Sequence, residues 1–325
     1  MEKILNIQEL TVEIKHDGSY YKALEQVSFQ LGKGEMVGLV GESGCGKSLT
    51  SLSVMGLLPE AAKITSGRIL FHDKALLAMP EDEKCDLRGR DISIVFQEPM
   101  TALNPLIPVG KQVTEAFLTH HAVSKKAAKD AAIQMMQQVG LSRAQSLYSE
   151  YPHQLSGGMK QRIVIAMALI NHPGLLIADE PTTALDVTIQ FQILELIKQL
   201  NQTLTTTVLL ISHDLGIVRE VCSRIIVMYA GFIVEEGDTQ EVLHRPLHPY
   251  TRQLLASIPT AQKRGSELYS IPGVVTPLHK RKASRCPFSD RCAETRDNCF
   301  TSVPMLKEIN GRKVRCFLTG GEAVE

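Results

Sequence analysis

The chain has 325 residues, of which 44% are hydrophobic, and its 35 Lys and Arg residues equal its 35 Asp and Glu residues in number. A chain of this length and apolar content buries a sizeable core, which excludes a disordered protein and leaves room for one large domain or two smaller ones. The balanced charge gives no general attraction to an acidic partner, and we expect no nucleic-acid partner.

The N-terminal sequence MEKILNIQEL mixes charged residues with apolar ones. It lacks the long apolar region and the cleavage site of a signal peptide. No apolar run anywhere approaches the ~20 residues that a membrane-spanning helix needs. We therefore expect a cytosolic chain, which would work at a membrane by docking on a protein that spans it.

Short runs of Val, Ile and Leu alternate with longer segments of helical periodicity through about the first 255 residues. This alternation is typical of an α/β fold with a buried parallel sheet. Strands are predicted at Met36–Val40, 175–178 and 207–211, and a helix that packs one face on the sheet is predicted at 188–200. Each strand ends in polar residues, where such sheets bind their ligands.

Two segments depart from this alternation. From about residue 99 to 160 prolines mark a loop, and a helical stretch at 125–139 then stops at Gly140, which predicts a helical insertion. After residue 258 the periodicity fades. We therefore expect one domain at 1–258 and a small C-terminal domain at 259–325.

Residues 41–48, GESGCGKS, match the phosphate-loop pattern G-x-x-x-x-G-K-[ST] between a predicted strand and a helix. Glycines let backbone N–H groups converge on phosphate oxygens, Lys47 can reach the β- and γ-phosphates, and the Ser48 hydroxyl suits Mg²⁺. The alternative is a Gly-rich turn that binds no ligand, and Cys45 is expected to fill space rather than to be a nucleophile. The predicted ATP-binding residues of this segment are Gly41, Glu42, Ser43, Gly44, Cys45, Gly46, Lys47, Ser48 and Leu49.

Two carboxylates follow another predicted strand, in the sequence LLIADE at 175–180. The apolar residues bury the strand, so the carboxylates emerge at its carboxyl end. Asp179 is expected to hold Mg²⁺, and Glu180 is expected to polarise the attacking water as a general base.

Upstream of these carboxylates, the sequence LSGGMKQR at 155–162 resembles the signature motif of ABC ATPases, with Met159 where Gln is more frequent. Ser156, Gly157 and Gly158 would open a helix whose free N–H groups form a second anion site. The resemblance implies a P-loop NTPase (RecA-like) core with an antiparallel β subdomain and a helical insertion. It also implies a dimer, because the signature of one subunit closes on the ATP held by its partner.

The same resemblance assigns further residues. Gln97 matches the Q-loop residue that contacts Mg²⁺ or the attacking water, Asp186 in 184–186 matches the D-loop, and His213 matches the switch histidine near the γ-phosphate. Lys47 would absorb developing charge on the transferred phosphoryl group. Tyr21 is the candidate for stacking on adenine.

Residues 97–105, QEPMTALNP, and 248–255, HPYTRQLL, resemble the oligopeptide, dipeptide and nickel importers of this family. The finer resemblance implies an ATPase that energises an importer of di- or oligopeptides, with nickel or another small solute as the alternative. It implies a second ATPase subunit in a heterodimer, two transmembrane permease subunits and an extracytoplasmic solute-binding protein. The chain would lie peripherally on the cytoplasmic face of the cell membrane, with a permease helix docked near 99–109.

Four cysteines cluster near the C-terminus, namely Cys286, Cys292, Cys299 and Cys316. They resemble the C-terminal cysteine motif of the peptide-importer ATPases, which implies an iron–sulfur cluster. Four thiolates suit either a [4Fe–4S] cluster or Zn²⁺, and the lack of a C-x₂₋₄-C pair favours the cluster. Free structural thiols are the third alternative.

Two other classes of protein share some of these features. A soluble ABC ATPase of translation or DNA repair would carry two cores or a long coiled coil, and neither fits 325 residues. A redox protein built around the cysteines would need no membrane partner. Copurification with permease subunits would distinguish transport from both.

Overall fold

A computed structural model describes residues 2–97, 102–183, 185–258, 265, 269–282 and 284–319. The described residues form two compact units. The first unit is drawn from Met1–Ile4, Leu31–Met36 and Ala78–Ile211, and the second from Leu5–Gln30, Val37–Leu77 and Ser212–Glu325.

The strands and helices alternate along much of the chain. The strands are β1 (Lys3–His16), β2 (Ser19–Gly32), β3 (Met36–Val40), β4 (Ala62–Phe71), β5 (Lys74–Ala75), β6 (Ile92–Val95), β7 (Leu175–Asp179), β8 (Thr207–Ser212), β9 (Arg224–Tyr229), β10 (Phe232–Asp238), β11 (Lys307–Ile309) and β12 (Arg312–Val314). The helices are α1 (Lys47–Met55), α2 (Glu81–Leu87), α3 (Val109–Leu118), α4 (Lys125–Gln138), α5 (Ala144–Leu147), α6 (Gly157–Leu169), α7 (Val187–Leu204), α8 (Leu215–Val221), α9 (Thr239–His244), α10 (Pro249–Ala256) and α11 (Asp297–Thr301).

In the first unit β6, β7 and β8 form a parallel ladder, with Ile92 opposite Leu175 and Leu175 opposite Thr207. Every residue of β7 and β8 is buried, which explains their continuous apolar sequences. The predicted parallel α/β architecture and these two strands are confirmed. Because parallel strands run in one direction, the residues that follow β6 and β7 emerge at the same edge.

The helical part of the first unit contains α3 to α6. Helix α4 begins where Ser124 Oγ accepts a hydrogen bond from Ala127 N at 3.2 Å. It ends one residue earlier than predicted, and Gly140 follows at φ +82°. Arg162 of α6 donates to the carbonyl oxygen of Val139 at 2.6 Å, so the signature helix satisfies the end of α4. Residues 98–101, at the predicted start of the insertion, lie outside the described part of the chain.

The second unit contains a four-stranded sheet in the order β2-β1-β4-β5, in which β1 and β4 run antiparallel. It also contains β3, which pairs in parallel with β9, and β10, which pairs with β9 antiparallel. The β10 strand then pairs with β12, and β12 pairs with β11. The last strands of the chain therefore extend a sheet of the unit that carries the phosphate-loop sequence.

A buried ionic contact strengthens this attachment. Glu235 on β10 is fully buried, and its two carboxylate oxygens accept from Leu247 N at 2.8 Å and His248 N at 3.0 Å. Arg312 on β12 also donates to Glu235. The described residues of the C-terminal segment thus pack within the second unit. The proposed domain boundary at residue 258 stays a prediction, because residues 259–264 are not described.

Within the part of the chain that the structure covers, no helix combines the length and the apolar character needed to cross a bilayer.

We predict that Gly110→Ala destabilises the protein by about 1–3 kcal/mol, as overpacking typically does. A Cβ at Gly110 in α3 would lie 2.2 Å from the Tyr148 ring and 2.6 Å from the Tyr148 carbonyl oxygen, and the carbonyl has no flexible end to move. Lys111→Ala, at the next and exposed position, should change stability by less than about 0.5 kcal/mol. Equal urea midpoints for the two variants would contradict this prediction.

Candidate functional site

Two glycines of the loop between β3 and α1 have positive φ angles and close neighbours. A Cβ at Gly41, where φ is +153°, would lie 2.2 Å from the carbonyl oxygen of Met228. A Cβ at Gly46, where φ is +110°, would lie 2.4 Å from Leu24 Cδ2. Gly41 requires glycine both for its backbone conformation and for space, because the carbonyl oxygen is fixed backbone. Gly46 requires glycine for its backbone conformation, whereas the Leu24 methyl group can move. The loop is therefore held in one shape by β2 and β9 of the same unit.

Lys47, the first residue of α1, is buried, and its ammonium lies against the loop. Its Nζ donates to the carbonyl oxygens of Gly41 at 2.8 Å and Glu42 at 3.1 Å. The outer side of the loop is open to solvent, because Ser43, Gly44 and Ser48 are exposed. The N-terminus of a helix that carries a lysine and has exposed backbone N–H groups can bind an anion. Leu49, in the first turn of α1, is half-buried.

Cys45 within this loop is 1% exposed. Burial raises the pKa of its thiol, and the nearby Lys47 only partly opposes this shift. The side chain thus stays a neutral thiol at neutral pH, which fits a role in packing rather than in nucleophilic chemistry.

Glu42 has partners that the sequence analysis missed. Its backbone N–H donates to Tyr250 Oη at 3.0 Å, and its carboxylate accepts from Arg291 at 2.7 and 3.0 Å. Arg291 and Glu42 are 249 positions apart, so no local signal in the sequence could have revealed the pair.

In the first unit, the end of β7 carries the two predicted carboxylates. Asp179 is the last residue of the strand and is buried, and Glu180 follows at φ +47°, a left-handed conformation that is uncommon for a non-glycine residue. Gln97 Nε2 donates to Glu180 Oε2 at 2.9 Å, and Thr183 Oγ1 lies 3.2 Å from the same oxygen. The structure thus brings Gln97 and Glu180 together, a contact that the sequence analysis did not predict. Thr183 was missed, although its position three residues after Glu180 favours such a turn contact.

The signature sequence opens α6 in the predicted manner. Ser156 is exposed, and its Oγ accepts from Met159 N at 3.4 Å as an N-cap. A Cβ at Gly158 would lie 3.0 Å from Ile189 Cγ2, so a side chain there would crowd the first turn of α7. Asp186 caps α7 by accepting from Ile189 N at 3.0 Å. Gly157 is half-buried, and Ala184 of the D-loop sequence lies outside the described residues.

His213 and Tyr21 belong to the second unit. His213 is exposed and directly precedes Asp214, which caps α8 through Gly216 N at 2.8 Å. Tyr21 is half-buried and lines a cavity of about 280 Å³ together with Phe232 and Arg281. The predicted site residues thus fall in both units. The second unit contains Tyr21, residues 41–49 and His213. The first unit contains Gln97, residues 156–158, Asp179, Glu180 and Asp186.

The four C-terminal cysteines line one small cavity. Burial raises the pKa of Cys286 to about 12, and burial also raises the pKa values of Cys292 and Cys316. Four thiols, of which Cys286 and Cys299 are buried and Cys292 and Cys316 are half-buried, fit the donor set of a cluster. A bound cation would have to displace the thiol protons. Among the described residues, however, no three His, Cys, Asp or Glu side chains are arranged to hold a metal ion. The metal site therefore stays a prediction.

Comparison with known proteins defines the class of protein to which this chain belongs. Residues 24–183 match the family described as ABC transporter, and residues 234–299 match the family described as the oligopeptide/dipeptide transporter C-terminal region. The dimeric ATP-binding cassette MJ0796 bound to ADP and Pi superimposes with a TM-score of 0.65 and 29% identity, over 73% of this chain and 99% of that chain. The cbiO1 protein of Clostridium perfringens gives a TM-score of 0.65 and 27% identity, over 75% and 92% of the two chains. The fold is that of an ABC ATPase cassette.

Similar sequences extend over the whole chain. The dipeptide transport ATP-binding protein DppD of Bacillus subtilis is 51% identical over 98% of this chain and 95% of its own length. The oligopeptide transport ATP-binding protein AppD of the same organism is 47% identical over 100% and 99%. DppD of Escherichia coli is 42% identical over 96% of each chain. This chain belongs to the ATP-binding proteins of ABC transporters, in the group with the oligopeptide/dipeptide transporter C-terminal region.

We predict that a thiol-alkylating reagent at neutral pH modifies Cys85 of the folded chain far faster than Cys45. Cys85 is exposed, whereas Cys45 is buried and its pKa is raised, so little thiolate is both present and accessible. Peptide mass spectrometry after timed labelling measures both rates, and the urea-unfolded chain is the control in which the rates should converge. Rapid labelling of Cys45 in the folded chain would contradict the assigned packing role.

Proposed function

We propose that this chain is the ATP-hydrolysing subunit that energises import of di- or oligopeptides. The observation that carries the proposal for the chemistry is the Glu180 carboxylate, held by Gln97 and Thr183 at a strand end, in a chain that also has a closely packed phosphate loop. The peptide cargo is supported by relatives named for dipeptide or oligopeptide transport that match nearly the full chain.

In the proposed mechanism the loop N–H groups and Lys47 hold the β- and γ-phosphates. Water attacks the γ-phosphorus, the bond from that phosphorus to the β-γ bridging oxygen breaks, and Glu180 accepts the proton of the water, which leaves ADP and phosphate. Gln97 orients the Glu180 carboxylate through the 2.9 Å hydrogen bond, and His213 would steady the γ-phosphate.

Mg²⁺ would neutralise charge on the β- and γ-phosphates. Ser48, Asp179 and Gln97 are the proposed holders, because hydroxyl, carboxylate and amide oxygens are the donors that this hard cation prefers. Asp179 is buried at the end of β7, and Ser48 is exposed at the start of α1. Tyr21 is proposed to stack on the adenine, a role supported by its position at a cavity.

The proposed working form is a dimer of ATPase subunits. Ser156, Gly157 and Gly158 would contact the ATP bound by the partner subunit, with Asp186 crossing the interface. Ser156 and Asp186 are both exposed while each caps a helix, so these helix starts are accessible to another chain. A heterodimer with a second ATPase subunit is the form proposed here.

The ATPase pair would dock on two permease subunits at the cytoplasmic face of the membrane, with a solute-binding protein on the opposite side. The proposed docking segment is 99–109, and Leu106 within it is 82% exposed and so accessible to a partner. Residues 99–101 of this segment lie outside the described part of the chain.

Affinity purification from membranes tests the assembly. Both permeases should copurify with the chain, and the complex in vesicles should import di- or oligopeptides in an ATP-dependent manner when the solute-binding protein is added. Import of nickel but not of peptides would replace the cargo assignment, and purification without any permease would contradict transport.

We predict that Glu180→Gln retains ATP binding and lowers turnover by at least about 100-fold, as expected for loss of a general base. The amide keeps the shape and hydrogen bonding of the side chain but does not accept the proton from water. Glu83→Gln, the same change on the exposed face of α2, is the matched control and should hydrolyse ATP at the wild-type rate. ATPase activity of the reconstituted transporter is the measurement. Unchanged turnover in Glu180→Gln would remove Glu180 from the mechanism.

We further propose that Cys286, Cys292, Cys299 and Cys316 bind a [4Fe–4S] cluster, for which their common cavity is the structural support. The bound cluster would supply a metal–thiolate centre that cross-links the C-terminal segment. Without a bound cation, the raised pKa values keep the thiols of Cys286, Cys292 and Cys316 protonated at neutral pH.

The chain purified without oxygen is predicted to contain iron and acid-labile sulfide in equal amounts. Replacing the four cysteines by serine should remove both, whereas Cys85→Ser, at an exposed cysteine away from the cavity, should remove neither. If the chain contains zinc in place of iron, the result favours a tetrahedral Zn²⁺ site. If it contains neither metal, the cysteines are free structural thiols.

A further inference from the structure

Arg291 links the C-terminal region to the phosphate loop. It ends the 3₁₀ turn Ser289–Arg291, directly before Cys292, and its side chain is almost fully buried. Its Nη1 and Nη2 donate to the two carboxylate oxygens of Glu42 at 2.7 and 3.0 Å. This is the bidentate geometry that makes arginine–carboxylate pairs strong and specific.

The guanidinium is fixed by further acceptors. Nε donates to the carbonyl oxygen of Pro272 at 2.9 Å, and Nη1 lies 3.4 Å from Tyr229 Oη. Burial lowers the pKa of Arg291, but its hydrogen bonds to Glu42 and Tyr229 outweigh burial and raise the pKa above its usual value. Arginine stays protonated in proteins, so Arg291 places a positive charge directly against the Glu42 carboxylate.

Glu42 brings a negative charge to the candidate anion site. Its backbone is part of the loop that would hold the triphosphate, and its carboxylate is partly buried, so solvent screens the charge incompletely. An unpaired carboxylate there would repel the incoming phosphates. Pairing with Arg291 turns this local negative charge into a neutral ion pair.

We propose that Arg291 is a positioning residue of the nucleotide site, which neutralises Glu42 and so permits the phosphate loop to bind ATP. The proposal rests on the proposed ATPase function and adds to it a role for the C-terminal region. Arg291 lies 249 positions after Glu42, next to the cysteine Cys292. The C-terminal region would therefore contribute a residue to the nucleotide site.

Calorimetric titration of the purified full chain with Mg-ATP tests this role. Arg291→Ala is expected to weaken ATP binding about tenfold, within the range of coupling measured for contacting residues. Glu42→Gln/Arg291→Ala is expected to recover affinity to within about threefold of the wild type, because the repelling charge is then absent. A purely structural anchor would show no such recovery, since the double variant also lacks the anchor.

Two further variants complete the design. Arg252→Ala is the matched control, because Arg252 forms an exposed pair with Glu294 at 3.0 Å, so its replacement removes an arginine ion pair while Glu42 keeps its partner Arg291. It should bind ATP like the wild type. Arg291→Lys keeps the positive charge and is the milder change. It tests the same claim if Arg291→Ala does not fold. Its affinity for Mg-ATP should fall by no more than about threefold.

The charge origin of the defect gives an additional readout. The loss of affinity in Arg291→Ala should shrink as salt rises from about 0.05 M to about 0.5 M, since mobile ions screen the repulsion between Glu42 and the phosphates. Wild-type affinity in Arg291→Ala, no recovery in the double variant, or a tenfold loss in Arg291→Lys would overturn this inference. A wild-type chain that fails to bind Mg-ATP would instead overturn the proposed ATPase function.

Discussion

The nucleotide site depends first on the close packing of the phosphate loop. At Gly41 a carbonyl oxygen of β9 occupies the space that any Cβ would need, and at Gly46 the φ of +110° selects glycine. The loop therefore has its shape before a ligand arrives, and the cost of ordering its backbone has been met during folding. The position of Lys47 follows from this shape, because its ammonium is bonded to the carbonyl oxygens of Gly41 and Glu42.

The carboxylate end of β7 is ordered by a different means. Glu180 adopts a left-handed backbone conformation that costs free energy, and such conformations persist where surrounding contacts impose them. Here the contacts are the backbone bond from Glu180 N to Ile211 O at 2.9 Å and the side-chain bond from Gln97. Each unit thus carries one preorganised part of the candidate site, packed glycines in one and a restrained carboxylate in the other.

The parts of the site that the sequence predicted are those whose information is local. Each of these parts depends on fewer than about ten consecutive residues, namely the glycine spacing, the end of β7 and the Ser156 cap. Short motifs and the periodicity of apolar residues are therefore enough to predict them. Contacts between distant segments gave no such signal, as with Glu42 and Arg291 or the pairing of β12 with β10. The cysteine spacing likewise could not show that all four thiols line one cavity.

The C-terminal region is bound to the second unit through its backbone. The match to the oligopeptide/dipeptide transporter C-terminal region begins at residue 234, inside β10, which pairs with β9 on one edge and with β12 on the other. Separating β10 from the rest of the unit would break its ladder with β9, and separating β12 from β10 would leave Glu235 without its donor Arg312. Backbone ladders and buried charged pairs are costly to open, so the region folds as part of the unit that carries the phosphate loop. Arg291 and Glu42 can form their contact because both segments belong to the same compact unit.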